Sequence, residues 1–239
     1  MAITHVFFDL PDVLIDSHRL RSCVQAAIGT IMAVRYGGQA AAWTQAYTSI
    51  LNDWDSYSAD LDFSGDDGLD QFREALYRTT RALFRLTGTP EPSQSELAVV
   101  ARDLPGLAAL HCQAAQPDAN EAVTALYTAG ITLGAVGYTF TAHLRGMLYG
   151  AGWQEMFQGP IVGADTAGQI EKDAVFYGTV LRLAGIPAAQ CAVVSEKPMP
   201  GARAAGMTTI LLLRESHPRL FDSDYTITSL GGLLPIFKT

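Results

Sequence analysis

The second half of the chain alternates short apolar runs with helical patterns, and this alternation is the feature that most constrains the fold. The apolar runs, which we predict to be strands, cover residues 131–136, 160–162, 191–194, 208–213 and 225–227. The stretches between them, which we predict to be helices, cover residues 120–129, 141–150, 172–184 and 200–205. Strands that alternate with helices of this length indicate a parallel sheet, because each return to the sheet needs a crossover.

A further strand is predicted near the amino terminus, at residues 4–9. Its apolar run Val6-Phe7-Phe8 ends in Asp9 and is followed by a loop that leads into a second apolar run. Open α/β sheets bind ligands at the carboxyl ends of their strands. Asp9 therefore places a carboxylate where such a sheet is expected to have its binding site.

Residues 18–104 have a different pattern, in which apolar residues recur at helical spacing, as at Leu20, Val24 and Ile28. Glycine-containing turns divide this region into several segments. A chain of 239 residues with 49% hydrophobic residues is large enough for a core domain and a smaller inserted one. We therefore expect an all-helical insert within an α/β core.

Charge and hydropathy argue against several classes of partner. The formal net charge is −8 and the basic residues form no cluster, which argues against nucleic acid and anionic membrane surfaces. No apolar run reaches the roughly 18 residues of a membrane span, and no signal-type segment opens the chain. We expect a cytoplasmic protein that binds a small-molecule substrate or ligand; the sequence leaves its oligomeric state open.

The three cysteines, Cys23, Cys112 and Cys191, are widely spaced and lie in apolar surroundings. An odd number in such a pattern is typical of reduced, buried thiols and not of a disulfide framework or a zinc site. We therefore predict three free thiols.

The order of these parts resembles the haloacid dehalogenase-like (HAD) superfamily, in particular its members with a helical cap of the C1 type. The resemblance rests on the loop after Asp9, the helical insert, the strand that ends at Val136, the segment around Lys172 and the run 201–207. It implies a Rossmann-like, doubly wound parallel sheet core with an inserted all-helical cap. The core would comprise residues 1–17 and 105–239, and the cap residues 18–104.

In phosphatases of the HAD superfamily an aspartate attacks a phosphoryl group and is then released by water, which makes Asp9 the candidate nucleophile. The aspartate that usually protonates the leaving group is replaced by Pro11, which has no ionisable group, and the usual glycine is replaced by Asp12. Asp12 is the candidate substitute acid. The structural alternative is that Asp9 only caps the loop by accepting backbone hydrogen bonds. Asp16 or Ser17 is predicted to cap the first cap helix.

The second and third motifs of the superfamily have less regular counterparts. Gly137, Tyr138 and Thr139 follow the strand at 131–136 and are the predicted substrate-binding loop, although Thr139 or Thr141 could instead cap the next helix. Lys172 is the candidate for the lysine that balances the charge of the nucleophile. If that role is correct, its Nζ atom lies within about 4 Å of an Asp9 oxygen.

The resemblance also implies Mg²⁺, with Asp9, the carbonyl of Pro11 and Glu196 as the candidate ligands. Mg²⁺ prefers octahedral oxygen ligands. The fourth motif is eroded, because Glu196 is its only acid and Lys197 follows directly. We therefore expect any metal binding at these residues to be weak.

Three functions are compatible with these residues. The first is a HAD-like hydrolase with altered machinery that hydrolyses a small organic substrate through an aspartyl intermediate; a leaving group that departs without a proton, such as the halide of a 2-haloacid, tolerates the loss of the acid best. The second is a catalytically inactive HAD-fold binding or interaction protein, since several motifs are eroded. The third is a Mg²⁺-dependent small-molecule phosphatase that uses Asp12 and Glu196 in displaced roles.

Overall fold

The sheet contains six parallel strands within the part of the chain that this computed structural model describes, residues 2–214 and 222–237. The strands are β1 (His5–Asp9), β2 (Thr132–Val136), β3 (Ile161–Val162), β4 (Cys191–Ser195), β5 (Thr208–Leu212) and β6 (Tyr225–Ile227). Their order across the sheet is β3-β2-β1-β4-β5-β6. The six predicted strands are confirmed, and their ends differ from the prediction by at most one residue.

A run of helices separates β1 from β2 and forms the all-helical cap. A single turn, α1 (Leu10–Val13), follows β1 directly. The cap helices are α2 (Ser17–Tyr36), α3 (Ala40–Asn52), α4 (Asp55–Ser58), α5 (Gly68–Thr87) and α6 (Gln94–Ala109). As predicted, Asp16 caps α2, because its side chain accepts a hydrogen bond from the Arg19 amide at 3.0 Å.

The remaining helices cover both faces of the sheet. They are α7 (Ala119–Thr128), α8 (Thr141–Gly150), α9 (Ala164–Ala167), α10 (Ala174–Ala184), α11 (Pro200–Ala204) and α12 (Leu233–Phe237). Val6 and Phe8 of β1 pack in one apolar cluster with residues of α7, α8 and α12, whereas Phe7 packs in a second cluster with residues of α10 and α11. Burial on both faces explains why the strands read as continuous apolar runs, and the doubly wound fold class is confirmed.

The chain passes between core and cap through two segments that pair with each other. Ile15 and Ala115 form an antiparallel bridge. The Asp16 amide donates to the carbonyl of Ala114, and the Gln116 amide donates to the carbonyl of Leu14, both at 2.8 Å. The limits of the cap at residues 18 and 104 stay a prediction, and α6 continues without interruption past residue 104. The predicted core range includes residues that lie outside the described part of the chain.

The carboxyl-terminal part of α6 packs against core helix α8 through glycines. A Cβ atom on Gly146 would lie 2.3 Å from the carbonyl oxygen of Gly106, and one on Gly150 would lie 2.4 Å from the carbonyl oxygen of Cys112. The two backbones therefore approach more closely than any larger residue allows. This contact fastens one side of the cap to the core.

The prediction of three free thiols is wrong for two of them. Cys23 of α2 and Cys112, three residues after α6, form a disulfide with their Cα atoms 5.6 Å apart, while Cys191 is free and buried. The two cysteines are 89 residues apart in sequence. They meet because α6 returns alongside α2, which spacing along the chain does not reveal.

In residues 2–214 and 222–237, no helix combines the length and the apolar character that crossing a membrane requires.

Reduction of the disulfide is expected to lower the free energy of unfolding by about 2–4 kcal/mol, because the bond closes a long loop in the unfolded chain. Urea unfolding with and without a dithiol reductant measures the difference. The double variant Cys23→Ser with Cys112→Ser is the control and should show no response to the reductant. Equal midpoints for the oxidised and reduced wild-type protein would contradict the expectation.

The glycine contact between α6 and α8 predicts that Gly146→Ala lowers the free energy of unfolding by about 1–3 kcal/mol, because the new methyl group collides with the Gly106 carbonyl. Gly178 in α10 is the matched control, since a Cβ atom there meets nothing within 4 Å. Gly178→Ala should stabilise the protein by up to about 1 kcal/mol through helix propensity alone. Chemical unfolding of both variants tests this; equal effects would show that the contact is unimportant.

Candidate active site

Asp9 lies at the carboxyl end of β1, between β2 and β4, and is only 8% exposed. Its Oδ2 atom accepts hydrogen bonds from Lys172 Nζ at 2.5 Å and from Ser195 Oγ at 3.1 Å. The Oδ1 atom has no hydrogen-bond partner among the described residues. The carboxylate makes no capping bond to the turn that follows, so the alternative that Asp9 only caps its loop is wrong.

Lys172 reaches Asp9 from the loop that precedes α10, and its predicted proximity to the carboxylate is confirmed. The helix predicted to begin at residue 172 begins two residues later, with Asp173 as its cap. The Asp173 side chain accepts from the amides of Val175 and Phe176 at 2.9 Å, and these bonds lower the pKa of its carboxyl group. The capped turn holds the residue before it, Lys172, at the edge of the sheet.

Ser195 belongs to the eroded fourth motif but was not among the predicted site residues. It ends β4, is 2% exposed and accepts a hydrogen bond from the Lys197 amide at 3.1 Å while its hydroxyl donates to Asp9. The available signal was a hydroxyl residue at the carboxyl end of a buried strand that neighbours β1. That signal becomes specific only when the order of the strands is known.

Pro11 and Asp12 form a tight turn with the dihedral angles of type II. Pro11 has φ −59° and ψ 135°, and Asp12 has φ 66° and ψ −27°. Asp12 is the only described residue other than glycine with a positive φ, at the position that glycine usually takes. Its amide donates to the carbonyl of Ile15 at 2.7 Å, while its exposed side chain has no hydrogen-bond partner in the described structure.

Glu196 directly follows Ser195 and is paired with Arg214. Arg214 was not among the predicted site residues. Arg214 Nε lies 3.4 Å from Glu196 Oε1. Burial and, to a lesser extent, the charge of Asp12 raise the pKa of Glu196, while Arg214 opposes that rise. The carboxylates of Asp12 and Glu196 are therefore close enough to interact electrostatically.

The predicted substrate-binding loop follows β2, and its three residues differ in their hydrogen bonds. The Gly137 amide already donates to the carbonyl of Val162 at 3.2 Å, so it is not available to a substrate. The Tyr138 side chain is 53% exposed, and its pKa is raised by burial of the hydroxyl and then by the charges of Asp9 and Asp12. The amides of Tyr138 and Thr139 have no partner among the described residues.

Neither threonine of this region caps α8, so that alternative is wrong. Thr139 Oγ1 pairs with His143 Nδ1 at 3.0 Å. Thr141 is the first residue of α8, and its amide donates to Asp165 Oδ1 at 2.7 Å. The cap of the helix therefore comes from α9, a separate element, which reasoning from local sequence does not anticipate.

The cap rests on the two loops that carry Tyr138 and Lys172. Leu69 and Phe72 of α5 pack against Phe140 and Ile170 in a small apolar cluster. The rings of Phe72 and Phe140 meet edge to face with their centroids 5.5 Å apart. The cap thus also contacts the core through the loop after β2 and the loop before α10.

Comparison with known proteins gives the fold its name. No family model and no curated protein matches the chain. Among solved structures, the L-2-haloacid dehalogenase from Xanthobacter autotrophicus with chloropropionic acid covalently bound is 18% identical, with a TM-score of 0.57 over 99% of this chain and 98% of that one. A HAD phosphatase from Thermococcus onnurineus is 19% identical, with a TM-score of 0.58 over 98% and 97%.

A third solved structure, a HAD-type hydrolase of Bacillus subtilis bound to magnesium, is 15% identical, with a TM-score of 0.61 over the full length of both chains. The chain has the haloacid dehalogenase-like fold. At these identities the likeness extends to the architecture, which includes the helical cap.

The residues of this HAD-like chain do not fit a magnesium site. Of the predicted ligands, Asp9 is paired with Lys172 and Glu196 with Arg214, and Pro11 offers only a carbonyl. Within residues 2–214 and 222–237, no group of three or more histidine, cysteine, aspartate and glutamate side chains is arranged to hold a metal ion. The oxygen-rich donor set that Mg²⁺ requires is not assembled.

The positive φ of Asp12 predicts that Asp12→Gly is more stable than Asp12→Ala by about 1 kcal/mol. Both variants remove the carboxylate, but only glycine adopts this backbone conformation without steric cost. Urea unfolding of the two variants measures the difference. A glycine variant that is no more stable than the alanine variant would show that the turn is not strained.

Proposed function

We propose that the protein is a metal-independent hydrolase that uses Asp9 as a nucleophile on carbon and releases a halide from a small 2-haloacid. The observation that supports this most is the asymmetry of the Asp9 carboxylate. Lys172 and Ser195 both hold Oδ2, which orients the group and leaves Oδ1 without a partner among the described residues. A carboxylate held in this way is positioned for attack.

The missing proton donor favours a halide as the leaving group. Pro11 stands where an acid is usual in phosphatases of this fold, and it has no proton to give. An alcohol leaving group needs protonation as it departs, whereas a halide leaves as a stable anion. The solved neighbours include L-2-haloacid dehalogenases, which agrees with this choice of substrate class.

The reaction proceeds in two steps. Asp9 Oδ1 forms a bond to C2 of the substrate, and the carbon–halogen bond breaks, with its electron pair leaving on the halide. Water then adds to the Cγ atom of the resulting ester, the bond between Cγ and the ester oxygen breaks, and a 2-hydroxy acid leaves. Asp12, whose carboxylate is exposed and has no hydrogen-bond partner in the described structure, accepts a proton from the attacking water and passes it to the departing oxygen of the 2-hydroxy acid, and the remaining proton leaves the regenerated Asp9 carboxyl group to solvent.

The substrate carboxylate requires hydrogen-bond donors near Asp9. The amides of Tyr138 and Thr139 meet this need, because neither has a partner among the described residues. The half-exposed ring of Tyr138 belongs to the same loop and covers the apolar side of a small substrate. The cap, which rests on this loop through Phe140, limits the access of bulk water to the reacting atoms.

We also propose a cytoplasmic location, on the grounds of composition given above. The disulfide between Cys23 and Cys112 is the feature that bears against it, since stable disulfides are uncommon in a reducing compartment. Rapid alkylation of free thiols in intact cells, followed by mass analysis of Cys23 and Cys112, tests the proposed location. Alkylated cysteines would agree with a reducing compartment, and an intact disulfide would contradict it.

The proposal predicts halide release from 2-chloropropionate by protein treated with a chelator. Asp9→Asn should lower the rate by about 10⁴-fold or more, and Ser195→Ala by about 10²-fold through loss of an orienting donor. Asp70→Asn, a change at an exposed aspartate of α5, is the control and should leave the rate unchanged. Halide release measured by ion chromatography gives the rates.

A single turnover in H₂¹⁸O tests the covalent step directly. Water that attacks Cγ places the ¹⁸O label in the Asp9 carboxylate, and the first product carries unlabelled oxygen from Asp9. Mass spectrometry of the peptide that contains Asp9 detects the label. Label found only in the product would indicate direct attack by water and would contradict the proposed nucleophile.

Two other outcomes would replace the proposal. Mg²⁺-dependent release of phosphate from an aryl phosphate, abolished by Asp9→Asn, would indicate the phosphatase that uses Asp12 and Glu196 in displaced roles. No turnover of haloacids or phosphate esters, together with saturable binding of a small ligand, would indicate an inactive binding protein.

A further inference from the structure

The Arg214 side chain joins three separate segments at the carboxyl edge of the sheet. It follows β5, and its Nη1 atom bonds both oxygens of Asp118, at 2.9 and 3.1 Å. Its Nη2 atom donates to the carbonyl of Val13 at 2.8 Å. Its Nε atom lies 3.4 Å from Glu196 Oε1, at ion-pair distance but not aligned for a hydrogen bond. The side chain is 26% exposed.

Each of these partners belongs to a segment of the proposed site. Val13 ends the turn that carries Pro11 and Asp12, and Glu196 directly follows Ser195. Asp118 precedes α7, close after the linker that returns from the cap, and also accepts a hydrogen bond from the Leu230 amide at 3.0 Å. Arg214 therefore ties the nucleophile loop to the loop after β4.

Cations of the chain itself offset part of the negative charge at this edge. Its carboxylates are Asp9, Asp12, Asp118 and Glu196. The cations bonded or ion-paired to three of them are Lys172, on Asp9, and Arg214, on Asp118 and Glu196. Neighbouring carboxylates such as Asp12 and Glu196 repel one another unless positive charge is placed among them. A divalent cation with oxygen ligands is the other common way to supply that charge.

We propose that Arg214 is a positioning residue that supplies this positive charge from within the chain, so that the site binds no divalent cation unless Arg214 is removed. The guanidinium uses both oxygens of Asp118 and faces Glu196, which leaves these carboxylates unavailable as metal ligands. The same group holds the Pro11–Val13 turn in place through the Val13 carbonyl. The inference extends the proposed metal-independent function and gives it a structural reason.

The test compares thermal unfolding in millimolar MgCl₂ with unfolding in NaCl of equal ionic strength. Wild-type protein should give the same midpoint in both salts. Arg214→Met should lower the midpoint in NaCl by about 5–10 °C, because it leaves partly buried carboxylates unpaired, and MgCl₂ should restore part of that loss. Arg73→Met removes an arginine from an exposed pair with Asp70 and is the matched control, with no difference between the salts.

Arg214→Lys retains a positive charge but not the forked geometry, so it should unfold below the wild-type midpoint and still show no response to MgCl₂. If Arg214→Met does not fold, two measurements replace it. They are the unfolding of Arg214→Lys in both salts and a calorimetric Mn²⁺ titration of the wild-type protein. Saturable Mn²⁺ binding by the wild-type protein overturns the proposal, as does an Arg214→Met variant that responds to MgCl₂ no more than Arg73→Met. None of these measurements requires turnover, so a protein inactive on haloacids would refute the proposed function and leave this inference standing.

Discussion

The ion pair between Lys172 and Asp9, reinforced by the Ser195 hydroxyl, is the interaction on which the rest of the site depends. Lys172 and Ser195 are 163 and 186 residues from Asp9 in sequence. They meet it because β1 lies in the middle of a parallel sheet, where the carboxyl ends of neighbouring strands share one edge. A largely buried carboxylate without such partners would be strongly destabilising. The pair thus allows a carboxylate in the core and orients it.

The turn after β1 bears on the chemistry that we propose for Asp9. Pro11 and Asp12 close a type II turn, and Pro11 has no proton to give at the position of the usual acid. Around the turn, Lys172 pairs with Asp9, and Arg214 pairs with Asp118 and Glu196. An oriented Asp9 carboxylate with Pro11 at the position of the usual acid agrees with the proposed leaving group, which departs as an anion. The same features explain why a magnesium site is not assembled in a fold where a neighbour binds the metal.

Sequence periodicity located the strands well because both faces of the sheet are buried. Continuous apolar runs such as Val6–Phe8 are typical of parallel strands that are covered on both faces. The cysteine prediction was wrong because Cys23 and Cys112 are brought together by the return of α6 beside α2, which spacing cannot show. The capping prediction for Thr141 was wrong for the same kind of reason, since its cap is Asp165 from another element.

The sequence by itself determined the alternation of strands and helices, the helical insert and the place of Asp9 at a strand end, because these follow from local patterns of apolar and polar residues. It also showed the loss of the acid at Pro11, which is a matter of residue identity. Only the tertiary structure decided that Ser195 and Arg214 belong to the site and that Gly137 does not offer its amide. Such contacts depend on strand order and loop approach, which join residues that no local pattern relates.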